Sequence, residues 1–260
     1  MNIIVTSGGT RERIDAVRSI TNGATGRLGS LIAGEFSRRL PGSAHTVYYL
    51  CGAGSAVPAE GGNIRIIRIE GTDDLQSRLE ALLTNEKIDA VIHSMAVSDY
   101  KVNSIATPES IAESISRRLN DRQELVSQQD MTSIVKEALL EQNISGENKI
   151  SSELEHPVLV LRKTPKVIEM IKRLSPQTLL VGFKLLSGAD EKLLIDTAYR
   201  LLIKNSCDFV LANDTGTIKD GNHEGFLIDA GANFVKLEGK EAIAAAIADS
   251  VLKKIAEGTK

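Results

Sequence analysis

The sequence predicts an α/β fold built on a doubly wound, mostly parallel sheet, and three observations lead there. Short apolar runs of strand length (3–5, 45–50, 64–69, 89–94, 179–183 and 209–212) alternate with stretches of helical period, as βαβ units require. These runs are near-continuously apolar, the pattern of strands covered on both faces. Polar and glycine residues gather just beyond several of them, where open α/β sheets place their ligands.

The first strand, Ile3 to Val5, runs into Thr6, Ser7, Gly8, Gly9 and Thr10. A polar loop with Asp15, Arg18, Thr21 and Asn22 then leads to Gly23, Gly26 and Gly29. From about Thr25, the residues Leu28, Leu31, Ile32, Phe36 and Leu40 take a helical period, so the second glycine cluster opens a helix. Residues 45–50 read as the second strand, 52–62 as a small-residue loop and 64–69 as the third strand. Thr72 is expected to cap a helix over 73–84, whose Leu75, Leu79, Leu82 and Leu83 share one face. Residues 89–94 form a fourth strand ending at Met95, Ala96, Val97, Ser98, Asp99 and Tyr100.

Residues 101–148 break the alternation. They are polar, with helices expected near 108–119 and 131–142 and no apolar strand interrupting them. A segment of this length between strands reads as a lid, a docking arm or a partly disordered stretch. Residues 149–152 and 158–161 predict a hairpin, and Pro165 is expected to start a helix through Leu174. A core strand at 179–183, a helix at 190–204, and a strand at 209–212 ending at Asn213 and Asp214 follow. Short strands at 226–229 and 233–236 and a helix from Gly239 complete the pattern. The simplest organisation is one Rossmann-like domain over 1–260, with an inserted flap or dimerisation segment at about 101–155.

The composition narrows the function. A formal net charge of −3, dispersed basic residues and the absence of Trp give no support to a nucleic-acid partner. Cys51 and Cys207 lack metal spacing and read as reduced core thiols. With no long apolar segment and no basic leader, the chain is expected to be cytoplasmic, with no membrane partner.

Carboxyl ends of parallel strands share one edge, so Ser7–Thr10, Ser94–Asp99, Phe183–Lys184 and Asn213–Asp214 are expected to converge. Lys149, Lys163, Lys184, Arg200 and Lys204 are the basic residues that could meet a phosphate chain. Arg200 and Lys204 are four apart on one helix, either gripping a triphosphate or forming a solvated face. Asp99 could orient Mg²⁺ or a sugar hydroxyl, or simply cap a turn. Gly23, Gly26 and Gly29 spell GxxGxxG. In an NAD(P)-dependent reductase, the alternative reading, the first glycine follows the strand directly and an acid ends the second strand; neither feature is present here. His93, ending an apolar strand, reads as a core histidine.

The run TSGGTRERIDAVRSITNGATGRLG, then SMAVSDY, a lysine-bearing hairpin, KTPKVI, VGFK and KNSCDFVLAND, together resemble the phosphopantothenoylcysteine synthetase family. These are the phosphopantothenate–cysteine ligases of coenzyme A biosynthesis. The resemblance covers nearly the whole chain, least clearly 101–148. It implies a stand-alone ligase working with a separate phosphopantothenoylcysteine decarboxylase, so no FMN is expected. It also implies a homodimer whose small-molecule substrates are 4′-phosphopantothenate, L-cysteine and CTP (ATP being the less favoured nucleotide), with Mg²⁺.

By motif position, Asn22 matches the asparagine that holds the acyl-cytidylate. Arg18 matches the arginine near the substrate carboxylate or phosphate, and Lys149 the essential lysine of a mobile flap. Gly8 and Gly9 belong to the first loop. Ser94, Met95 and Asp99 match the loop receiving the cytidine end, and Pro165, Lys166, Val167 and Ile168 the turn beside it. Phe183 takes the place of an aromatic ring near the base, while Arg200 and Lys204 match two cations facing the phosphates. Ala96 sits beside the pantothenoyl arm. Three departures alter the charge near the nucleotide: Ile150, Ser151 and Ser152 follow Lys149 where the family often has further lysines. Lys184, Leu185 and Leu186 replace Ala-Ala-Glu, and Lys166 replaces an acid.

Overall fold

The computed structural model describes residues 1–59, 61–121, 127–141, 150–151, 153–218 and 223–258. In chain order the elements are β1 (Asn2–Ser7), β2 (Arg11–Arg13), β3 (Ser19–Thr21), α1 (Arg27–Arg39), β4 (Thr46–Gly52), β5 (Ile64–Ile69), α2 (Thr72–Asn85), β6 (Ala90–His93), β7 (Tyr100–Ala106), α3 (Pro108–Asn120), α4 (Gln128–Glu141), β8 (Val158–Lys163), α5 (Val167–Leu174), β9 (Leu179–Leu186), α6 (Glu191–Asn205), β10 (Phe209–Asp214), β11 (Glu224–Asp229), β12 (Phe234–Glu238) and α7 (Lys240–Gly258). They fall into two compact units.

The larger unit comprises Met1–Thr10, Asn22–Val97 and Lys166–Lys260. At its centre is an eight-stranded sheet in the order β12-β11-β10-β9-β6-β1-β4-β5. All pairs from β10 to β5 are parallel, while β11 and β12 add an antiparallel edge. From β1 the chain moves outward through β4 to β5, then returns to the other side of β1 with β6. The order of winding therefore reverses between β1 and β6, the switch point at which open α/β sheets leave a crevice.

Side chains alternate across this sheet with the period of two that a strand imposes. Ile4, Leu50, Val91, Leu180 and Val210 face Leu75, Leu79, Met170, Ile171, Leu194 and Leu202 of α2, α5 and α6. On the other face Ile3, Val5, Tyr49, Ile92, Val181 and Leu211 meet Ile32, Phe36, Ile243, Ile247 and Val251 of α1 and α7. Burying each such side chain contributes about 1.5–3 kcal/mol, which accounts for strands that read as unbroken apolar runs.

Away from the crevice, Asp208 fastens the layers together. Its Oδ2 accepts from Lys172 Nζ of α5 and from Leu180 N of β9, each at 2.9 Å, and its Oδ1 lies 2.8 Å from Lys254 Nζ of α7. Burial alone would raise its pKa, but the bonds from Lys254, Lys172 and Leu180 hold it below the ordinary carboxylate value.

Three expectations are corrected here. Thr72 is not a cap: Gly71 takes that position without a side-chain bond, and Thr72 turns fully into the core. Asp74 Oδ2 instead accepts from Glu70 N at 3.1 Å. The helix after Pro165 starts two residues late, at Val167, with Lys166 as its cap. β9 runs on to Leu186, because β10 continues alongside it as far as Asp214.

The smaller unit comprises Arg11–Thr21 and Ser98–Pro165. What reads as a polar loop after β1 is a hairpin, β2 paired antiparallel with β3. Residues 101–148 do contain a strand: β7 pairs antiparallel with β8, with a bulge between Val102 and Ser104. Its sequence, YKVNSIA, buries only Ser104, Ile105 and Ala106, so it lacks the apolar run that marks the central strands. β8 therefore takes β7 as its partner in place of the expected 149–152, of which Ile150 and Ser151 are in no strand and the rest lie outside the described residues. α3 follows a capping box in which Thr107 Oγ1 accepts from Ser110 N and Ser110 Oγ accepts from Thr107 N. Ser104 Oγ donates to Leu139 O of α4 at 3.0 Å.

Asp208→Ala leaves Leu180 N without its acceptor and two lysines without their common carboxylate. It is expected to lower unfolding stability by about 2 kcal/mol, read as a fall in urea midpoint at constant m-value.

Candidate functional site

At the switch point the loops after β1 and β6 are stitched together by their backbones. Gly9 and Ala96 form an isolated parallel bridge. Ala96 N donates to Gly8 O at 2.8 Å, and Thr10 N donates to Ala96 O at 3.2 Å. Asn22 Nδ2 donates to that same carbonyl at 3.1 Å, so the carboxamide is drawn to the head of the crevice. Close approach explains the glycines. Gly8 has φ +79° and no room for a side chain against Ser55, while a Cβ on Gly9 would come within 2.7 Å of Asn22 O.

The GxxGxxG run divides by role. Gly26 precedes α1 in a left-handed conformation with φ 74° and supplies no side-chain cap, so the positive end of the α1 dipole opens toward the crevice. Gly29 is buried against hydroxyls, where a Cβ would clash with Ser7 Oγ and approach Ser94 Oγ to 2.8 Å. Gly23 has open space around it. Ser7 Oγ donates to Gly26 O at 2.9 Å and Ser94 Oγ to Thr6 O at 2.6 Å. Both hydroxyl protons are thus engaged in holding backbone.

Beneath this layer lies a buried polar pair, Thr6 and His93. Thr6 Oγ1 is 2.9 Å from His93 Nδ1 and accepts from Met95 N at 3.3 Å. Burial pushes the His93 pKa down to about 4, so the imidazole is neutral and structural, as its place at the end of an apolar strand predicts. Met95 is itself a core side chain.

Further along the rim, Phe183 packs on the α1 and α7 face, whereas Lys184, the next residue, points to the opposite face. Asp214, ending β10, is a backbone cap: it accepts from Ala189 N at 3.0 Å and Gly216 N at 2.7 Å. These bonds, with one from Gly188, hold its carboxyl below the usual range. Asn213 Nδ2 lies 3.4 Å from His223 Nε2. Lys166 caps α5, Val167 is buried and Ile168 packs against the core. Arg200 and Lys204 are exposed on α6, and Lys204 Nζ pairs with Glu169 at 2.8 Å. Lys204 sits in the last turn, about 20 Å down the helix from its amino end, so within this unit the pair is not brought to the rim.

In the smaller unit the tip of the β2–β3 hairpin is organised by Asp15. Its Oδ1 accepts from Val17 N and Arg18 N at 2.8 and 2.7 Å. Its Oδ2 accepts from Arg18 Nε at 3.0 Å, Arg18 Nη2 at 2.6 Å and Ile150 N at 3.2 Å. The Arg18 guanidinium, followed by the backbone bonds, holds the Asp15 carboxyl far below the ordinary value. Arg18 Nη2 also donates to Ile150 O at 3.0 Å, fixing the residue that follows Lys149, which itself lies outside the described residues. Asp99 is exposed, and its carbonyl accepts from Thr164 N at 3.0 Å. Pro165 is exposed.

Sequence reasoning passed over Asp15 as a site residue and over Ser55 altogether, and it placed Thr6 among the polar groups at the end of the first strand, whereas its hydroxyl turns to His93. The signal for Asp15 was an acid two and three residues before the N–H groups it accepts from, the Asx-turn spacing. Chemically the larger unit offers an amide donor and a helix amino end at a crevice, and the smaller one a guanidinium with Nη1 not engaged by Asp15 or Ile150. These are groups for anions and acyl oxygens. No group of three or more metal-ligating side chains is found among the described residues, and no helix among them is long and apolar enough to cross a membrane.

Comparison with known proteins places the chain in a family. The model of the DNA/pantothenate metabolism flavoprotein C-terminal domain matches residues 1–143 and 121–255. The coenzyme A biosynthesis bifunctional protein CoaBC of Thermococcus kodakarensis is 31% identical over 235 residues, covering 90% of this chain and 46% of that protein. The chain thus spans less than half the length of the curated relatives it matches. Among solved structures, the DNA/pantothenate metabolism flavoprotein from Streptococcus pneumoniae is 33% identical with a TM-score of 0.78, covering 98% of this chain and 99% of that one. Cab2 mutant H337A in complex with phosphopantothenate-cysteine shares the fold, at 16% identity and a TM-score of 0.64 over 98% of this chain and 86% of that one.

The buried His93 carries a pH signature. Its folded pKa, about 4, lies below the unfolded value of about 6.5, so between these values the unfolded chain binds the extra proton. The His93 contribution is therefore intact above about pH 6.5, declines as pH falls, and reaches a loss of about 3 kcal/mol below pH 4. Urea unfolding of wild type and His93→Gln across pH 4–7 is expected to show a steeper decline in the wild type.

Proposed function

We infer the reaction from one premise: the chain belongs to the DNA/pantothenate metabolism flavoprotein C-terminal domain family, and is a phosphopantothenoylcysteine synthetase-type protein. On it we propose a ligase of coenzyme A biosynthesis that joins 4′-phosphopantothenate to L-cysteine. A carboxylate is a poor acyl donor until one oxygen becomes a leaving group. In the proposed sequence a carboxylate oxygen attacks the α-phosphorus of CTP and pyrophosphate departs. The amine of cysteine then attacks the acyl carbon, CMP leaves, and the amine loses a proton.

The observation that carries this reading is Asn22, whose carboxamide nitrogen is anchored on Ala96 O at the switch point. The Asn22 carboxamide, an N–H donor group, is assigned to the acyl oxygen, where charge develops as the amine adds. Removing such a donor typically costs about 3–4 kcal/mol of barrier. Arg18, oriented by Asp15, is assigned to the substrate's carboxylate or phosphate, and Ala96 to the wall beside the pantothenoyl arm. Lys149 is assigned to the phosphate charge. Gly8, Gly9, Ser94, Met95, Asp99, Phe183 and the Pro165–Ile168 turn are assigned to the nucleotide. Ser94 and Met95 act there through backbone, since their side chains are engaged elsewhere. Mg²⁺ is proposed to arrive with the triphosphate, held largely by the phosphates and water. Arg200 and Lys204 remain candidates for phosphate contacts only if a second copy of the chain supplies them, in keeping with the homodimer that the family resemblance implies. The NAD(P)-dependent reductase is disfavoured because the turn after β1 reads SGGT, without a GxGxxG.

Incubation with CTP, Mg²⁺, 4′-phosphopantothenate and cysteine is expected to release pyrophosphate only when CTP and phosphopantothenate are both present. Dependence on NADPH instead would overturn the proposal. Asn22→Asp is expected to form acyl-cytidylate yet stall at aminolysis, lowering product formation by about 100-fold or more, with the intermediate visible by mass spectrometry. Lys149→Gln should suppress the pyrophosphate burst itself.

A further inference from the structure

Lys184 is a cation in an unusual setting. It is half-buried near the carboxyl end of β9, between Gly182 and Leu186 on the same face. That face is fixed by its neighbours. A Cβ on Gly182 would meet Leu201, Cys207 and Ile168, and Leu186 packs with the cluster covered by α5 and α6. Lys184 is thus one pleat nearer the rim than Ile168, with the small Ala212 as its cross-strand partner on β10.

Several other lysines of this unit close onto carboxylates: Lys172 and Lys254 onto Asp208, Lys204 onto Glu169, Lys236 onto Glu224. No carboxylate pairs with Lys184 among the described residues. The acid next along β10 on its face is Asp214, and both of its oxygens are turned to the backbone N–H groups of Ala189 and Gly216. Asp190, at the start of α6, is turned to Leu193 N at 2.8 Å. A partly desolvated ammonium without a counter-ion is costly, and the nearby acids are held in place by bonds that do not include it.

We propose that Lys184 binds the β- and γ-phosphates of the nucleoside triphosphate, and that it sets how strongly this chain prefers a triphosphate over the bare nucleoside. The inference rests on the ligase reading and deepens it by naming a residue and the part of the ligand it meets. A compact, strongly hydrated point charge suits the pyrophosphate portion, which departs in the first step, better than a neutral base or ribose.

Equilibrium titration of wild type, Lys184→Ala and Lys184→Arg with CTP and with cytidine tests it, beside the pyrophosphate-release assay. Lys184→Ala is expected to weaken CTP binding about tenfold or more, with a shallower salt dependence, while cytidine binding stays within about twofold. Lys184→Arg is expected to restore most of the CTP affinity. Equal loss for CTP and cytidine would mean a packing role, and unchanged CTP affinity would mean no phosphate contact; either overturns the inference. If the wild type releases no CTP-dependent pyrophosphate, the ligase reading fails and this contact with it. A wild type that turns over while Lys184→Ala binds CTP normally leaves the ligase standing and removes only Lys184.

Discussion

The larger unit depends on two loops being able to touch at the point where the sheet reverses its winding. The Gly9–Ala96 bridge is possible only because residues 8 and 9 lack side chains. A Cβ on either would strike Ser55 or Asn22, and Gly52 is equally constrained, since its Cβ would strike Gly9 O. Once the bridge forms, Ala96 O becomes the acceptor for both Thr10 N and Asn22 Nδ2, and the chain entering α1 must pass over the head of β1. Packing of Gly29 on Ser7 and Ser94 then sets the depth of that helix. One close backbone approach therefore places a carboxamide, a helix amino end and two hydroxyls within the same few residues.

The acids of the two units, each taken by itself, follow the same pattern. Asp15, Asp208 and Asp214 are each saturated by N–H donors and held ionised, so they act as fixed struts. What the described strand ends of the larger unit present is donors: the Asn22 carboxamide, backbone N–H groups and a lysine. A surface of this kind attracts an anion and disfavours a cationic or proton-abstracting partner. His93, the side chain best suited by type to act as a base at neutral pH, is removed from that role by burial.

Much of this was legible from sequence because the central strands are covered on both faces and so appear as apolar runs, each followed by its polar turn. The Ser7–Thr10, Ser94–Asp99 and Asn213–Asp214 clusters could be placed at one edge by topology alone. The strand β7 was hidden because one of its faces and its bulge are polar, and the hairpin β2–β3 because it is short and closed by an Asx turn. Spacing along α6 put Arg200 and Lys204 on one face, but not at which end of the sheet that face would matter. The helix runs back toward the amino ends of the strands, so its last turn is far from the rim. Roles of individual residues at the site came from resemblance to a family, and geometry limits them: Met95 and Ser94 have side chains engaged in the core and in backbone support.

The Asp15–Arg18 pair shows why an ion pair of small energetic value can still matter. Arg18 keeps 46% of its side chain exposed, and such a pair adds only about 0–1 kcal/mol to folding. Stability alone would not require the acid to be 2% exposed, nor to accept from Val17 and Ile150 as well. The arrangement instead fixes a long side chain, using Nε and Nη2 to hold it and engaging Nη1 with neither Asp15 nor Ile150. Ordering it before a ligand arrives removes rotamer entropy that binding would otherwise have to overcome, about 0.5–1.5 kcal/mol for one such side chain. Asp15 therefore fixes the Arg18 guanidinium more than it stabilises the fold, and its depressed pKa keeps that orientation intact throughout the neutral range.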